Sequence, residues 1–180
     1  RDPLWSRGLG DVYKRQIREL IPDHTFESAA GKFLLWLYQE RIAPQWILYD
    51  QDDIEKFKSC CTRGLIPDEL VHVLLVIGRY DETQQSDSAE LERLIPHVDP
   101  NWLWSVCAFG SEEGQCMKRA VVLGGHCRVG FENNLEVADG RQAASNTELV
   151  EATAQAIKAS GNIVADAETA RELFKIAPRR

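Results

Sequence analysis

The sequence lacks a long apolar run, a surplus of basic charge and any paired-cysteine motif, and each absence removes a class of function. Its longest apolar stretch, residues 70–78, contains His72 and is strand-sized, well short of the ~20 residues that cross a bilayer. A net charge of −7 leaves no basic excess to neutralise phosphates, so no nucleic-acid or membrane-surface partner is expected. No apolar segment with a small-residue cleavage site stands near residue 1, and a cytoplasmic location is the expectation. Cys60, Cys61, Cys107, Cys116 and Cys127 form no Cys-x-x-Cys, and read as reduced, packed thiols. A zinc site from Cys107, Cys116, His126 and Cys127 would have the spacing of no standard zinc knuckle. What remains is substantial: 180 residues, 44% of them hydrophobic, are enough to bury one core.

Residues 1–16, RDPLWSRGLGDVYKRQ, do not read like the rest. They resemble translated sequencing-adapter tails at the ends of metagenomic gene fragments. A non-native tail over 1–16 is therefore expected, with a gene cut before Ile17 and one catalytic domain over 17–180. From Ile17 onward, helical and strand patterns alternate. Residues 28–41 place Phe33, Leu34, Leu37 and Tyr38 on one helical face. Buried strands are predicted over 46–49, 70–78, 102–109 and 128–132, with Trp46, Trp102 and Trp104 in the core. Helices are predicted over 52–63, 88–97, 114–123, 146–160 and 167–174. Asp50 caps the first of these, and Ser86, Asp87 or Ser88 the second. Glu112-Glu113 reads as a solvated loop.

Strands apolar on both faces, each followed by a helix, are what a parallel sheet covered by helices requires. The class is α/β, a doubly wound sheet or a barrel. No Gly-x-Gly-x-x-Gly follows a strand, which weakens a dinucleotide-binding reading. In both architectures ligands bind beyond the carboxyl ends of the strands. The richest such end is GGHCRVGFENN, residues 124–134. Alternation along a strand puts Arg128, Gly130 and Glu132 on one face, Val129 and Phe131 on the other. A charged pair inside a barrel is costly unless it is used, so a ligand or metal site competes with a structural Arg–Glu pair.

That string, with Asp139-Gly140-Arg141, Ser145-Asn146 and Glu148-Leu149-Val150, resembles the carboxyl-terminal signature of the β-keto acid cleavage enzymes. Weaker echoes are the proline-led segment from Pro44 to Asp50 and the closing helix with Ala170-Arg171. The resemblance implies the C-terminal half of a (β/α)8 barrel, about four parallel strands with flanking helices. It implies a zinc-dependent acyl transfer in which a β-keto acid and acetyl-CoA give acetoacetate and a new CoA thioester. On this basis Glu132 is a zinc ligand, the remaining ligands belonging to an N-terminal half absent from this chain. Arg128 binds and orients the substrate and stabilises developing negative charge. Asn133 occupies the position where many members have an acid/base aspartate. It can donate a hydrogen bond but cannot carry a proton at neutral pH. Gln45 and Ile47 stand where members acting on amino-bearing substrates place carboxylates, so a neutral or anionic keto acid is implied.

His24, His72, His97 and His126 form no His-x-His pair, and His126 is assigned a structural or loop role. An open half-barrel would expose strand edges, so a homo-oligomer is expected. Two other functions fit the same residues. One is a non-catalytic half-barrel module that keeps Arg128 and Glu132 for packing; the other is a zinc aldolase-like lyase with a different acceptor.

Overall fold

The computed structural model describes residues 23–40, 42–66, 71–79 and 85–175. The tail over 1–16 and the residues up to 22 lie outside the described set. The elements run α1 (Asp23–Gln39), β1 (Gln45–Leu48), α2 (Gln51–Thr62), β2 (His72–Ile77), α3 (Ser88–Leu94) and a 3-10 turn (Ile95–His97). Then follow β3 (Leu103–Ala108), α4 (Glu113–Val122), β4 (His126–Cys127), α5 (Asn146–Ala159) and α6 (Ala167–Leu173). The strands form one sheet in the order β1-β2-β3-β4, and every pairing is parallel. Consecutive parallel strands joined by helices are the arrangement of a partial (β/α)8 barrel. The half-barrel expectation holds.

Alternation divides the sheet into two faces. On the outer face Val73, Leu75, Ile77, Trp104, Val106 and Ala108 are buried with Ile54 and Phe57 of α2. Leu91 and Leu94 of α3 and Cys116, Met117 and Ala120 of α4 complete this core. Trp46, Phe57 and Trp102 form an aromatic chain in it, each adjacent pair of centroids 5.0 Å apart. On the inner face Leu74, Val76, Cys107 and Phe109 form a second cluster with Ile47 and Tyr49 packed against it. Cys107 and Cys116 therefore sit on opposite sides of the sheet, and the four groups of the cysteine-based zinc alternative do not converge. Among the described residues no three His, Cys, Asp or Glu side chains could hold a metal together.

Local chemistry explains the boundaries. The Asp50 carboxylate accepts the Asp53 amide at 2.7 Å and starts α2, while Gly64, at φ 69°, ends its chain path. Asp87 is the cap of α3, accepting from the Ala89 amide at 2.9 Å. The helix predicted over 88–97 tightens to a 3-10 turn after Leu94, because Pro96 has no amide to continue the α ladder. In α1, Leu37 is buried and Leu34 packs on the core. Phe33, expected on that face, stands at its margin and stacks on Trp36, both exposed.

The fourth strand is where the sequence misleads. The predicted strand over 128–132 is replaced by a two-residue strand, His126–Cys127, followed by a turn. The Arg128 amide still donates to Val106 O at 2.9 Å, the last rung of the ladder. Beyond it the Gly130 carbonyl accepts the amides of Asn133 and Asn134, at 2.9 and 3.2 Å, and bends the chain back.

Candidate functional site

The turn from Arg128 to Asn134 lies at the carboxyl end of the sheet, and three contacts fix it there. The Gly110 amide, just past β3, donates to Asn133 O at 3.1 Å. The Phe131 amide donates to Asn146 Oδ1 at 2.7 Å, tying the turn to the first residue of α5. Asn134 donates through Nδ2 to Glu136 O at 2.6 Å, and its Oδ1 accepts the Glu136 amide at 2.9 Å. Such a turn holds its shape without strand pairing.

Arg128 and Glu132 meet on this turn. Arg128 Nη2 donates to Glu132 Oε2, and both side chains are about two-fifths exposed, at 41% and 43%. They meet because the chain folds back over four residues, not because they share a strand face as alternation predicted. Cys127 and Val129 pack against the outer core, which leaves His126 and Arg128 on the inner side. Asn133 is buried at the centre of the turn. The three residues singled out from the sequence are thus neighbours at one strand end.

Glu113 was read as solvated and is instead buried, 3% exposed, in the first turn of α4. Its Oε2 accepts from Asn134 Nδ2 at 3.2 Å, while Oε1 is buried without a well-formed hydrogen bond. Burial raises its pKa to about 7, against the opposing pull of the Asn134 side chain and the Gly130 backbone. Its neighbour Glu112 is exposed, as expected of the pair. The one available signal was helical position: Glu113 precedes the buried Cys116, Met117 and Ala120 at spacings that share one face.

Two more features border the site. Past β2, the Arg79 guanidinium lies over the Phe109 ring, 5.0 Å from its centroid. Ser111 donates to Gln85 Oε1 from its amide at 3.2 Å and its hydroxyl at 3.3 Å, closing the loop beside β3. Farther out, Arg141 and Glu148 pair, and Glu148 Oε2 accepts the Ala144 amide at 2.6 Å. With Ser145 Oγ accepting the Glu148 amide at 3.3 Å, this is a capping arrangement that anchors the start of α5.

Two histidines share the inner face with Arg128. His72 and His126 are the first residues of β2 and β4. His72 Nε2 is 2.8 Å from Ser105 Oγ, Gln45 Nε2 lies 3.1 Å from the same ring, and Phe174 stacks on it at 4.5 Å. Phe174 also meets His126 edge-on at 5.7 Å. Burial and the proximity of His126 lower the His72 pKa to about 4, and burial lowers that of His126.

A profile of the beta-keto acid cleavage enzyme family matches residues 16–176. Over 150 residues the chain is 29% identical to a 3-keto-5-aminohexanoate cleavage enzyme of Fusobacterium nucleatum, covering 83% of this chain and 54% of that protein. A protein of the same description from Acetoanaerobium sticklandii is 29% identical over 153 residues, with coverages of 84% and 55%. A 3-dehydrocarnitine:acetyl-CoA trimethylamine transferase of Rhizobium meliloti is 28% identical over 138 residues, covering 77% and 45%. The chain spans about half the length of these relatives.

Proposed function

The chain belongs to the beta-keto acid cleavage enzyme family, and from that premise we propose that it carries the substrate-gripping strand end of an acyl-transferring enzyme. The reaction joins a β-keto acid and acetyl-CoA. The α carbon, as its enolate, takes the acetyl group and sets the CoA thiolate free; the thiolate adds to the keto carbon, and the bond between that carbon and the α carbon then breaks. Acetoacetate leaves with its enolate reprotonated, and the remaining acyl group leaves on the CoA sulfur. No atoms or protons are left over.

What supports the reading is one turn holding Arg128, Glu132 and Asn133 at the carboxyl end of parallel strands, where barrel ligands bind. Arg128 presents a planar fork that can grip the keto acid's carboxylate and stabilise the enolate charge as the carbon–carbon bond opens. Asn133, buried beside it, is assigned hydrogen-bond donation rather than proton transfer. The described residues do not by themselves fit a zinc centre. Catalytic zinc usually takes three protein ligands, and the one carboxylate offered here, Glu132, is engaged by Arg128. We assign Glu132 as a single zinc ligand, its companions expected in the part of the relatives that this chain does not span.

The test is a chimera in which the unmatched N-terminal part of the Fusobacterium relative precedes Ile17. It is assayed for acetoacetate from acetyl-CoA and a panel of β-keto acids. Arg128→Lys keeps the charge but loses the fork, and turnover is expected to fall roughly 100-fold or more with bound zinc unchanged. Glu132→Gln is expected to lower zinc content and activity together. Full activity and full zinc in Glu132→Gln overturns the assignment of this turn.

A further inference from the structure

Arg79 is a cation that the reaction as described does not use. It follows β2 after Gly78, a glycine at φ 76° that breaks the strand's alternation. Its guanidinium rests on Phe109, which belongs to the inner-face cluster with Leu74, Val76 and Cys107. Arg79 therefore borders the inner rim of the sheet, on the side that Arg128 also borders. Among the described residues it has no carboxylate partner, whereas Arg128 has Glu132. A chain of contacts links the two arginines. Arg79 lies on Phe109, Gly110 follows Phe109, and the Gly110 amide holds Asn133 O in the turn that carries Arg128. At Gly110 the place of a β-carbon is taken by the Gln85 side chain, whose Oε1 would stand 2.3 Å from it.

We propose that Arg79 is a specificity-determining residue that binds a second carboxylate, so that the preferred substrate is a β-keto dicarboxylic acid. The inference rests on the reading of Arg128 as the grip for the first carboxylate. β2 and β4 flank β3, about 10 Å apart across the sheet at about 4.8 Å per strand. By register Cys127 is level with Leu75, so Arg79 starts three residues farther along the sheet than Arg128. A five- or six-carbon chain places its terminal carboxyl carbons about 5 to 6 Å apart when extended. The length of the two arginine side chains and a charged hydrogen bond of about 2.8 Å at each end have to span the rest. The Phe109 ring holds the guanidinium plane in place, so fewer rotamers are lost on binding. An amine-bearing keto acid would meet a like charge at the same position.

The experiment uses stable dicarboxylates without a keto group, which need no catalysis. Glutarate and adipate are titrated against valerate into the 180-residue chain and followed by NMR shifts. Roughly ten-fold tighter binding of the dicarboxylates is expected, lost in Arg79→Gln with valerate affinity unchanged, and partly kept in Arg79→Lys. Equal binding of the three acids, binding of none, or a preference that survives Arg79→Gln overturns the proposal. A second arm uses the chimera with 3-oxoadipate and 3-oxohexanoate. There Arg79→Gln is expected to lower kcat/KM roughly ten-fold for the dicarboxylate alone. If neither keto acid is cleaved while the binding preference and its loss both appear, the acyl-transfer reading fails and the Arg79 site stands. If both are cleaved without preference, the site fails and the reaction stands.

Discussion

Glu113 shows how a single carboxylate can support the site without entering it. Asn134 is held between Glu113 and the Glu136 backbone, so the turn that presents Arg128 and Glu132 rests partly on a buried acid. That acid has a folded pKa of about 7 against an ordinary value of 4.5. A raised carboxylate pKa means that the folded state binds the proton more tightly. The stabilisation is complete below about 4.5 and is lost as the pH rises through about 7. Glu113→Gln supplies a neutral group of the same shape, and its amide can donate where the proton did. Its unfolding free energy should match the wild type at pH 5 and exceed it at pH 8, by on the order of 1–3 kcal/mol. A variant no more stable than the wild type at pH 8 would show that Glu113 carries no such burden. Nothing in the acidic pair Glu112-Glu113 separated one residue from the other by composition; only the depth of the helical face does so.

At the scale of elements, β1, β2 and β3 were legible because they are apolar on both faces, which only a covered parallel sheet demands. The helices were legible from their caps, and Asp50 performs as its position suggested. The short β4 was not legible. Arg-Val-Gly-Phe-Glu alternates like a strand, yet two amides converging on the Gly130 carbonyl turn it after Arg128. Arg128, Glu132 and Asn133 still lie together, because a tight turn, like a strand end, keeps them within a few residues of each other. Where β4 begins is set by Gly125. A β-carbon there would stand 2.2 Å from Cζ3 of Trp104, which is buried in the outer core. Gly125→Ala must displace either the indole or the strand, at a cost of about 1–3 kcal/mol. Chemical denaturation should report that loss. Because β4 leads directly into the turn, NMR shifts at residues 128–134 should move as well. Unchanged stability and unchanged shifts would mean that the Trp104 contact does not position the site.

Across the whole described molecule, the inner face of the sheet is apolar in the middle and polar toward the amino ends of the strands. Gln45, His72, Ser105 and His126 gather there under Phe174, and His126 stands two residues before Arg128 on the same face. Glu113 and His72 should therefore answer to pH in opposite senses. At the amino end His72 is held neutral, its pKa lowered from 6.5 to about 4 by burial and by His126. A depressed histidine pKa means that the unfolded state binds more protons in that interval. Its contribution is complete above 6.5 and is lost as the pH falls toward 4. Glu113 acts in the opposite sense over an overlapping range, so the two together leave stability nearly level between about pH 4.5 and 6.5. The exposed carboxylates of Glu148 and Asp166 are held below their ordinary range by Arg141 and by the Thr169 amide. They titrate below the histidine window, within which His72 and Glu113 oppose each other. His72→Gln keeps a hydrogen-bonding side chain that does not titrate, and should gain stability relative to the wild type as the pH falls from 6.5 to 5. The difference should be on the order of 1–2 kcal/mol, discounted for the ring's partial exposure. Urea unfolding of both proteins at pH 5 and 6.5 measures it, and equal slopes would show that the histidine cluster does not govern acid sensitivity.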